Sequence, residues 1–486
     1  IILLATLSCT NHCLGAFAPS LKLKIPVNGF APLYESQMDN SSGSPLLTDL
    51  YQLNMIQAYL DHGEVHEAVF EFFVRKLPPS RGFLVAAGVA QAIDFLKSLN
   101  FSPADIDWLK STERFGDDFV EYLKRLRFTG HVHAMPEGTI FFPNEPILRV
   151  TAPLPIAQLV ETRLINILHF ETLIATKAAR FALLAPGKQL VDFGLRRAHG
   201  AEAGLLAARA SYLAGFSGTA TMLAGQKFAI PLFGTMAHSF IQAFDNETAA
   251  FEAFADSRPD HLVLLIDTYD TETAARKVVA LAPRLKERGI RIFGVRLDSG
   301  DLIALSRSVR NILDEGGLQE VRIFASGGID EAELRAMIGA KAPIDGFGIG
   351  TSLTTSFDMP ALDCAYKLQE YAGLARRKRS VGKETWPGRK QVWRRLDSGG
   401  LMAGDTLSLE DDRHAGEALI LPVMRRGRPL VQPPLSEVRS VAARNLASLP
   451  DAQRWLEQAP AFPVEVGASL IRLTEEVDQR LQRTGE

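Results

Sequence analysis

The rhythm of apolar and polar positions changes near residue 185. Before it, periods are mixed. Leu50, Leu53, Ile56 and Leu60 recur at helical spacing behind the N-cap pair Thr48-Asp49, and Gly63 can stop that helix. Residues 68–74, AVFEFFV, read as a phenylalanine-rich strand, and residues 86–99 as a helix. Between residues 131 and 153 the pieces TIFFP and ILRV read as strands interrupted by Pro143 and Pro146. Residues 154–184 form a long, mostly apolar helical stretch. Beyond it, short apolar runs recur at 189–191, 229–233, 262–266, 290–295, 321–325 and 344–349, with helical patterns at 202–213, 271–287, 302–314 and 331–338. Alternating strand and helix implies a parallel sheet with crossover connections, and this many units in succession favour a closed β/α barrel over an open sheet. After residue 351 regularity fades: PGRKQVW at 387–393 reads as a turn into a strand, and 436–482 as mostly helical.

Chemistry in such a fold sits at the C-terminal ends of the strands. Here those ends read Asp192-Phe193-Gly194-Leu195-Arg196-Arg197, Gly234-Thr235-Met236-Ala237-His238 and Asp267-Thr268-Tyr269-Asp270. The later ones read Arg296-Leu297-Asp298-Ser299-Gly300-Asp301, Ser326-Gly327-Gly328 and Gly348-Ile349-Gly350-Thr351. Histidine past a strand end can be base, ligand or nucleophile. Glycine-rich turns on late strands offer bare N–H groups to a phosphate. Arginines and acids on one rim suit polyanions, a divalent metal and an aromatic acid. Each piece alone also has a plain structural meaning, as a turn or an N-cap; the coincidence of all of them is what points to a site.

Composition narrows the partners. A net charge of −3 over 486 residues suggests neither a nucleic-acid nor a membrane surface. Three cysteines make no disulfide framework or zinc site, and a reducing compartment, the cytoplasm, fits. No P-loop, dinucleotide glycine turn or internal repeat is visible. Residues 1–37 open with an uncharged apolar run lacking a basic n-region, too short for a membrane span. They are read as a leader outside the fold, with Met38 a candidate start.

Several strings resemble the nicotinate phosphoribosyltransferase family: TDLYQLNM at 48–55, FVRKLP and GFLVAAG before residue 89, DFGLRRAHG at 192–200 and FGTMAHSF at 233–240. GVRLDSGDL at 294–302, FASGGID at 324–330 and GFGIGTSL at 346–353 continue the series in order. The resemblance implies an α/β fold: an irregular, TIM-like β/α barrel over 154–360, with an α+β sandwich-like domain built from 38–153 and completed by pieces of 361–486. It implies the joining of nicotinate to 5-phosphoribosyl-1-diphosphate, giving nicotinate mononucleotide and diphosphate on the way to NAD. Coupling to ATP through a phosphohistidine, a need for Mg2+ or Mn2+, and a homodimer with shared sites follow from the same resemblance.

Residue by residue, the resemblance makes His238 the phosphorylated histidine, Asp267 the acid holding its imidazole and Asp298 the acid near the ribose hydroxyls. Phe193 and Tyr51 become the aromatic groups on the pyridine ring, Tyr51 coming from the other subunit. Arg296 and Thr235 become nicotinate contacts, Arg196 a phosphate-binding arginine, and Gly327, Gly328, Gly350 and Thr351 the 5-phosphate cradle. Which residues would bind the metal is left open. Nicotinamide-using relatives carry an aspartate where this chain resembles them at Ala220, so nicotinate is the expected substrate. Two alternatives stay open at this point: a nicotinamide-using enzyme, and a catalytically silent nucleotide-binding scaffold.

Overall fold

A computed structural model describes residues 43–78, 80–454 and 457–485; the leader expected at 1–37 and Met38 lie outside the described residues. The first helix runs over Leu50–Asp61, with Asp49 at its N-cap but no side-chain cap bond. The phenylalanine-rich run forms the strand Glu67–Val74, paired antiparallel with Pro146–Pro153 on one side and Cys364–Tyr371 on the other. Leu374–Ala375, His131–Ala134, Leu421–Arg425 and Arg428–Pro429 complete this seven-stranded sheet, so it draws on both ends of the chain. A four-stranded sheet of later residues, centred on Lys390–Leu396 and Met402–Leu409, adjoins it. The helix expected at 86–99 is shorter, Val89–Ser98. Leu84–Val85 pairs as a strand with Ile140–Phe141, and Gly88, at φ +91°, turns the chain from Leu84–Val85 into the helix Val89–Ser98.

The helix Glu161–Leu184 is buried along most of its length, as its all-round apolar pattern requires. Behind it lies the parallel sheet. Its strands run in the order Gly218–Thr219, Gln189–Asp192, Gly346–Ile349, Arg322–Ala325, Ile292–Leu297 and Leu262–Leu265. Leu264, Val295, Ile323, Phe347 and Ile349 are buried within it, each side chain worth roughly 1.5–3 kcal/mol of transfer from water. Helices Ala201–Leu213, Thr271–Glu287, Leu302–Glu315 and Glu331–Gly339 follow their strands as the pattern predicts.

One expectation needs correction, and the barrel expectation is met in its coarser form. The run at 229–233 is not a strand. Ala229 takes left-handed φ +54° as it ends the helix Met222–Phe228, Pro231 has no N–H to donate, and only a single bridge, Thr219 to Leu232, joins this stretch to the sheet. Its neighbour Gly218–Thr219 supplies the strand instead. As a result the sheet is a half-barrel: among the described residues, no ladder closes Leu262–Leu265 onto the opposite edge. No helix among the described residues is long and apolar enough to cross a membrane.

Candidate active site

The C-terminal strand ends gather most of the expected residues. His238 opens the short helix His238–Gln242. Its Nδ1 lies 3.1 Å from the Thr268 hydroxyl, and its Nε2 lies 3.9 Å from Asp298 Oδ2. The Asp298 Oδ1 accepts a short hydrogen bond from the Ser326 hydroxyl. Ser326 leads directly into Gly327 and Gly328, so histidine, acid and glycine turn form one chain of neighbours.

That turn demands glycine. Gly327 and Gly328 have φ of +90° and +68°, and a Cβ on Gly327 would meet the Asp298 carbonyl oxygen at 1.8 Å. A Cβ on Gly328 would meet nothing within 4 Å, so this backbone faces open space. The second glycine turn follows Gly346–Ile349. A Cβ at Gly348 would lie 2.4 Å from the Phe193 ring, so the missing side chain is what lets Phe193 lie against this strand. Phe193 N–H donates to the Ile349 carbonyl at 2.9 Å, and Gly350 packs against the Phe193 backbone. Thr351 is exposed just beyond, and the Ser352 hydroxyl donates to the Ile329 carbonyl, tying the two turns together.

Arg296 is half-buried. Its Nη2 donates to the Met236 carbonyl at 3.0 Å, and the Thr235 hydroxyl contacts the same oxygen at 3.4 Å. Burial pulls the guanidinium pKa down; Asp298 and Asp267 act against this, and Arg196 acts with it. Arg196 itself is exposed in the turn Leu195–Arg197. Asp192 anchors this corner: Oδ1 accepts from Gly194 N–H at 2.8 Å and Oδ2 from the Thr219 hydroxyl at 2.7 Å. Its carboxyl pKa is raised by burial, against which both bonds work.

Asp267 makes its hydrogen bonds along the rim. Its Oδ2 accepts from Asp298 N–H at 2.8 Å and from the Ser299 hydroxyl at 2.6 Å, while Thr268, one residue on, meets the imidazole. The other oxygen, Oδ1, is buried without a partner. Among the described residues no group of three or more His, Cys, Asp or Glu gathers to hold a metal by itself. An orphan carboxylate oxygen beside Asp298 does fit Mg2+, which takes one or two carboxylates and draws its other ligands from phosphates and water. Tyr51 is not brought to this rim. It is 47% exposed, its hydroxyl accepts from Gln52 at 2.8 Å, and burial with nearby Glu161 and Asp49 raises its pKa. Sequence reasoning passed over Thr268, Ser299 and Ser326. Each is a hydroxyl adjoining an expected site residue in the strand-end strings, and that adjacency was the available signal.

Family models for the nicotinate phosphoribosyltransferase (NAPRTase) N-terminal domain and the nicotinate phosphoribosyltransferase (NAPRTase) family match residues 46–169 and 188–377. A nicotinate phosphoribosyltransferase of Mycobacterium tuberculosis is 48% identical over 429 residues, covering 88% of this chain and 92% of the relative. The chain belongs to the nicotinate phosphoribosyltransferase family. A nicotinate phosphoribosyltransferase of Bacillus subtilis is 41% identical over 378 residues, covering 76% of each chain. The crystal structure of human nicotinic acid phosphoribosyltransferase superposes with a TM-score of 0.80 at 29% identity, covering 88% of this chain and 99% of the human one. As a member of the nicotinate phosphoribosyltransferase family the chain is an enzyme, which removes the silent scaffold from the readings left open by the sequence.

Proposed function

We propose that this enzyme joins nicotinate to 5-phosphoribosyl-1-diphosphate and couples the transfer to ATP through a phosphorylated His238. The pyridine nitrogen attacks C1 of the ribose while the C1–O bond to diphosphate breaks. The ring lone pair makes the new bond, diphosphate leaves with the old pair, and no proton need move. The protein's task is therefore positioning and charge stabilisation. Phe193 supplies a ring face, Arg296 donors for the carboxylate, Asp298 an acceptor for the ribose hydroxyls, and the two glycine turns bare N–H groups for the 5-phosphate, with Arg196 at the edge. Asp267 and Asp298 would hold Mg2+ together with diphosphate oxygens, and the ion would neutralise charge on the leaving group.

In the coupled step, the tautomer assigned to His238 carries its proton on Nδ1, beside the Thr268 hydroxyl, and Nε2 is the nucleophile. Nε2 attacks the γ-phosphorus, ADP leaves, and water later splits the N–P bond to release phosphate. The observation that carries this reading is the unbroken run from His238 through Asp298 and Ser326 to the glycine turn.

Three finer features belong to the same proposal. The sheet is part of an irregular β/α barrel: its first and last long strands in chain order, Gln189–Asp192 and Gly346–Ile349, pair as closure requires. The enzyme is a homodimer in which an exposed Tyr51 completes the neighbouring site. It works in the cytoplasm, in keeping with only three cysteines.

Purified protein given both substrates should form nicotinate mononucleotide, and γ-labelled ATP should yield an acid-labile phosphoprotein. No product with or without ATP would overturn the transferase reading. Equal labelling of wild type and His238→Ala would overturn the phosphohistidine.

A further inference from the structure

The long helix Glu161–Leu184 carries Lys177, whose side chain has no exposed surface. Its ammonium meets two carboxylates at once: Glu331, and Asp358 Oδ1 at 2.7 Å. Glu331 is the first residue of the helix that follows the Gly327-Gly328 turn. Asp358 lies just beyond the short helix Thr351–Thr354 that follows the Gly350 turn. One buried cation thus holds the segments leaving both glycine turns. Arg180, one helical turn on, donates to Glu331 Oε1 at 3.1 Å, and Arg81 donates to Asp358 Oδ2 at 2.7 Å. The Lys177 ammonium also lies 5.4 Å from the Phe357 ring and 5.5 Å from the Phe181 ring.

Burying a lysine is costly, and an apolar side chain could fill the same space. An apolar side chain could not bind two carboxylates arriving from two different turns. The direct tie between the turns is the Ser352 hydroxyl on the Ile329 carbonyl, whereas Lys177 holds the segments that leave both. We infer that Lys177, through Glu331 and Asp358, is a positioning residue that sets the spacing between the two glycine turns and thereby the fit of the phosphoribosyl phosphate. The inference rests on the transferase reading above, in which those turns take the 5-phosphate.

Steady-state kinetics on Lys177→Met and Asp358→Asn, varying each substrate in turn, tests it. Misplaced turns should raise KM for 5-phosphoribosyl-1-diphosphate by about tenfold or more, with KM for nicotinate and kcat changed by less than about threefold. If Lys177→Met fails to fold, Asp358→Asn, which alters a partly exposed group that the fold should tolerate, carries the test alone. A folded variant with unchanged KM for 5-phosphoribosyl-1-diphosphate overturns the inference. So does a parallel loss in both KM values and kcat, the pattern of general loosening. A wild type without transferase activity would overturn the functional reading instead, so the two failures are distinguishable.

Discussion

Arg394, in the four-stranded antiparallel sheet, is fully engaged: Nε and Nη2 both donate to the Asp405 carboxylate, and Nη1 donates to the Ile140 carbonyl at 2.7 Å. Arg296, at the rim of the parallel sheet, has one carbonyl partner, a buried Nε with none, and no ion pair with any carboxylate among the described residues. The same contrast separates the acids. Asp405 is saturated by Arg394, whereas Asp267 keeps one buried oxygen unpartnered. In this pair of sites, Arg394 and Asp405 close on each other, whereas Arg296 and Asp267 keep hydrogen-bonding capacity that a ligand at the rim can take up.

The sharpest way to break this comparison is to neutralise each arginine. Arg394→Met leaves Asp405 buried and uncompensated beside Glu145, whose carboxyl pKa is already pushed far up by burial and by Asp405. Stability should fall by about 3–5 kcal/mol, read by urea unfolding. Arg296→Met should leave stability within about 0.5 kcal/mol of wild type, because no protein carboxylate loses its partner. Its kcat/KM for nicotinate should fall by roughly two to three orders of magnitude, the cost of an unpaired substrate carboxylate. Equal destabilisation by the two substitutions would erase the distinction.

Much of this was legible in the chain because local signals agreed with one another. Helix Thr271–Glu287 follows from its 3.6-residue periodicity and the Asp270 cap, whose side chain accepts from Thr273 N–H at 2.8 Å. The glycine turns were legible because their residues are needed for backbone reasons that no other residue satisfies. What was not legible shares a cause. FAIPLF at 228–233 has the apolar composition of a strand, but Pro231 and the left-handed Ala229 deny it a ladder, and composition alone does not report that. Which neighbour reaches the imidazole, Asp267 or Thr268, depends on tertiary geometry that the string IDTYD does not encode. Lys177 was hidden in an apolar helical stretch, with its partners 154 and 181 residues away in sequence.

A smaller effect sharpens the ligand side. Ala220 N–H donates to the Asp192 carbonyl at 2.8 Å, in the turn where the Thr219 hydroxyl meets the Asp192 carboxylate. The Ala220 side chain is exposed, so an aspartate there fits sterically and adds charge near the corner that carries Phe193. Ala220→Asp should lower kcat/KM for nicotinate on the order of tenfold through like-charge repulsion, and narrow the preference over nicotinamide. Competitive assays with both substrates check this. Unchanged use of nicotinate would move the source of selectivity elsewhere.

The smallest effect concerns a pair of histidines. His238 is 40% exposed at the rim, whereas His133, on the strand His131–Ala134, has a buried Nδ1 without a partner. Burial, then the neighbouring Arg149 with smaller help from His131 and Arg425, lowers the His133 pKa from 6.5 to about 4, against the pull of Glu410. Folding therefore favours the neutral ring. In the pH range between those two values the unfolded chain binds more protons at this site than the native one. The stabilisation from a neutral His133 is complete above about pH 6.5 and is lost as pH falls toward 4. Solvent screening of a half-buried ring keeps the loss to at most about 2 kcal/mol. His133→Gln cannot take up the proton, so its unfolding free energy should fall less steeply than wild type between pH 6.5 and 4. Parallel slopes for wild type and His133→Gln would show that the His133 ring takes up its proton as readily in the folded sandwich as in the unfolded chain.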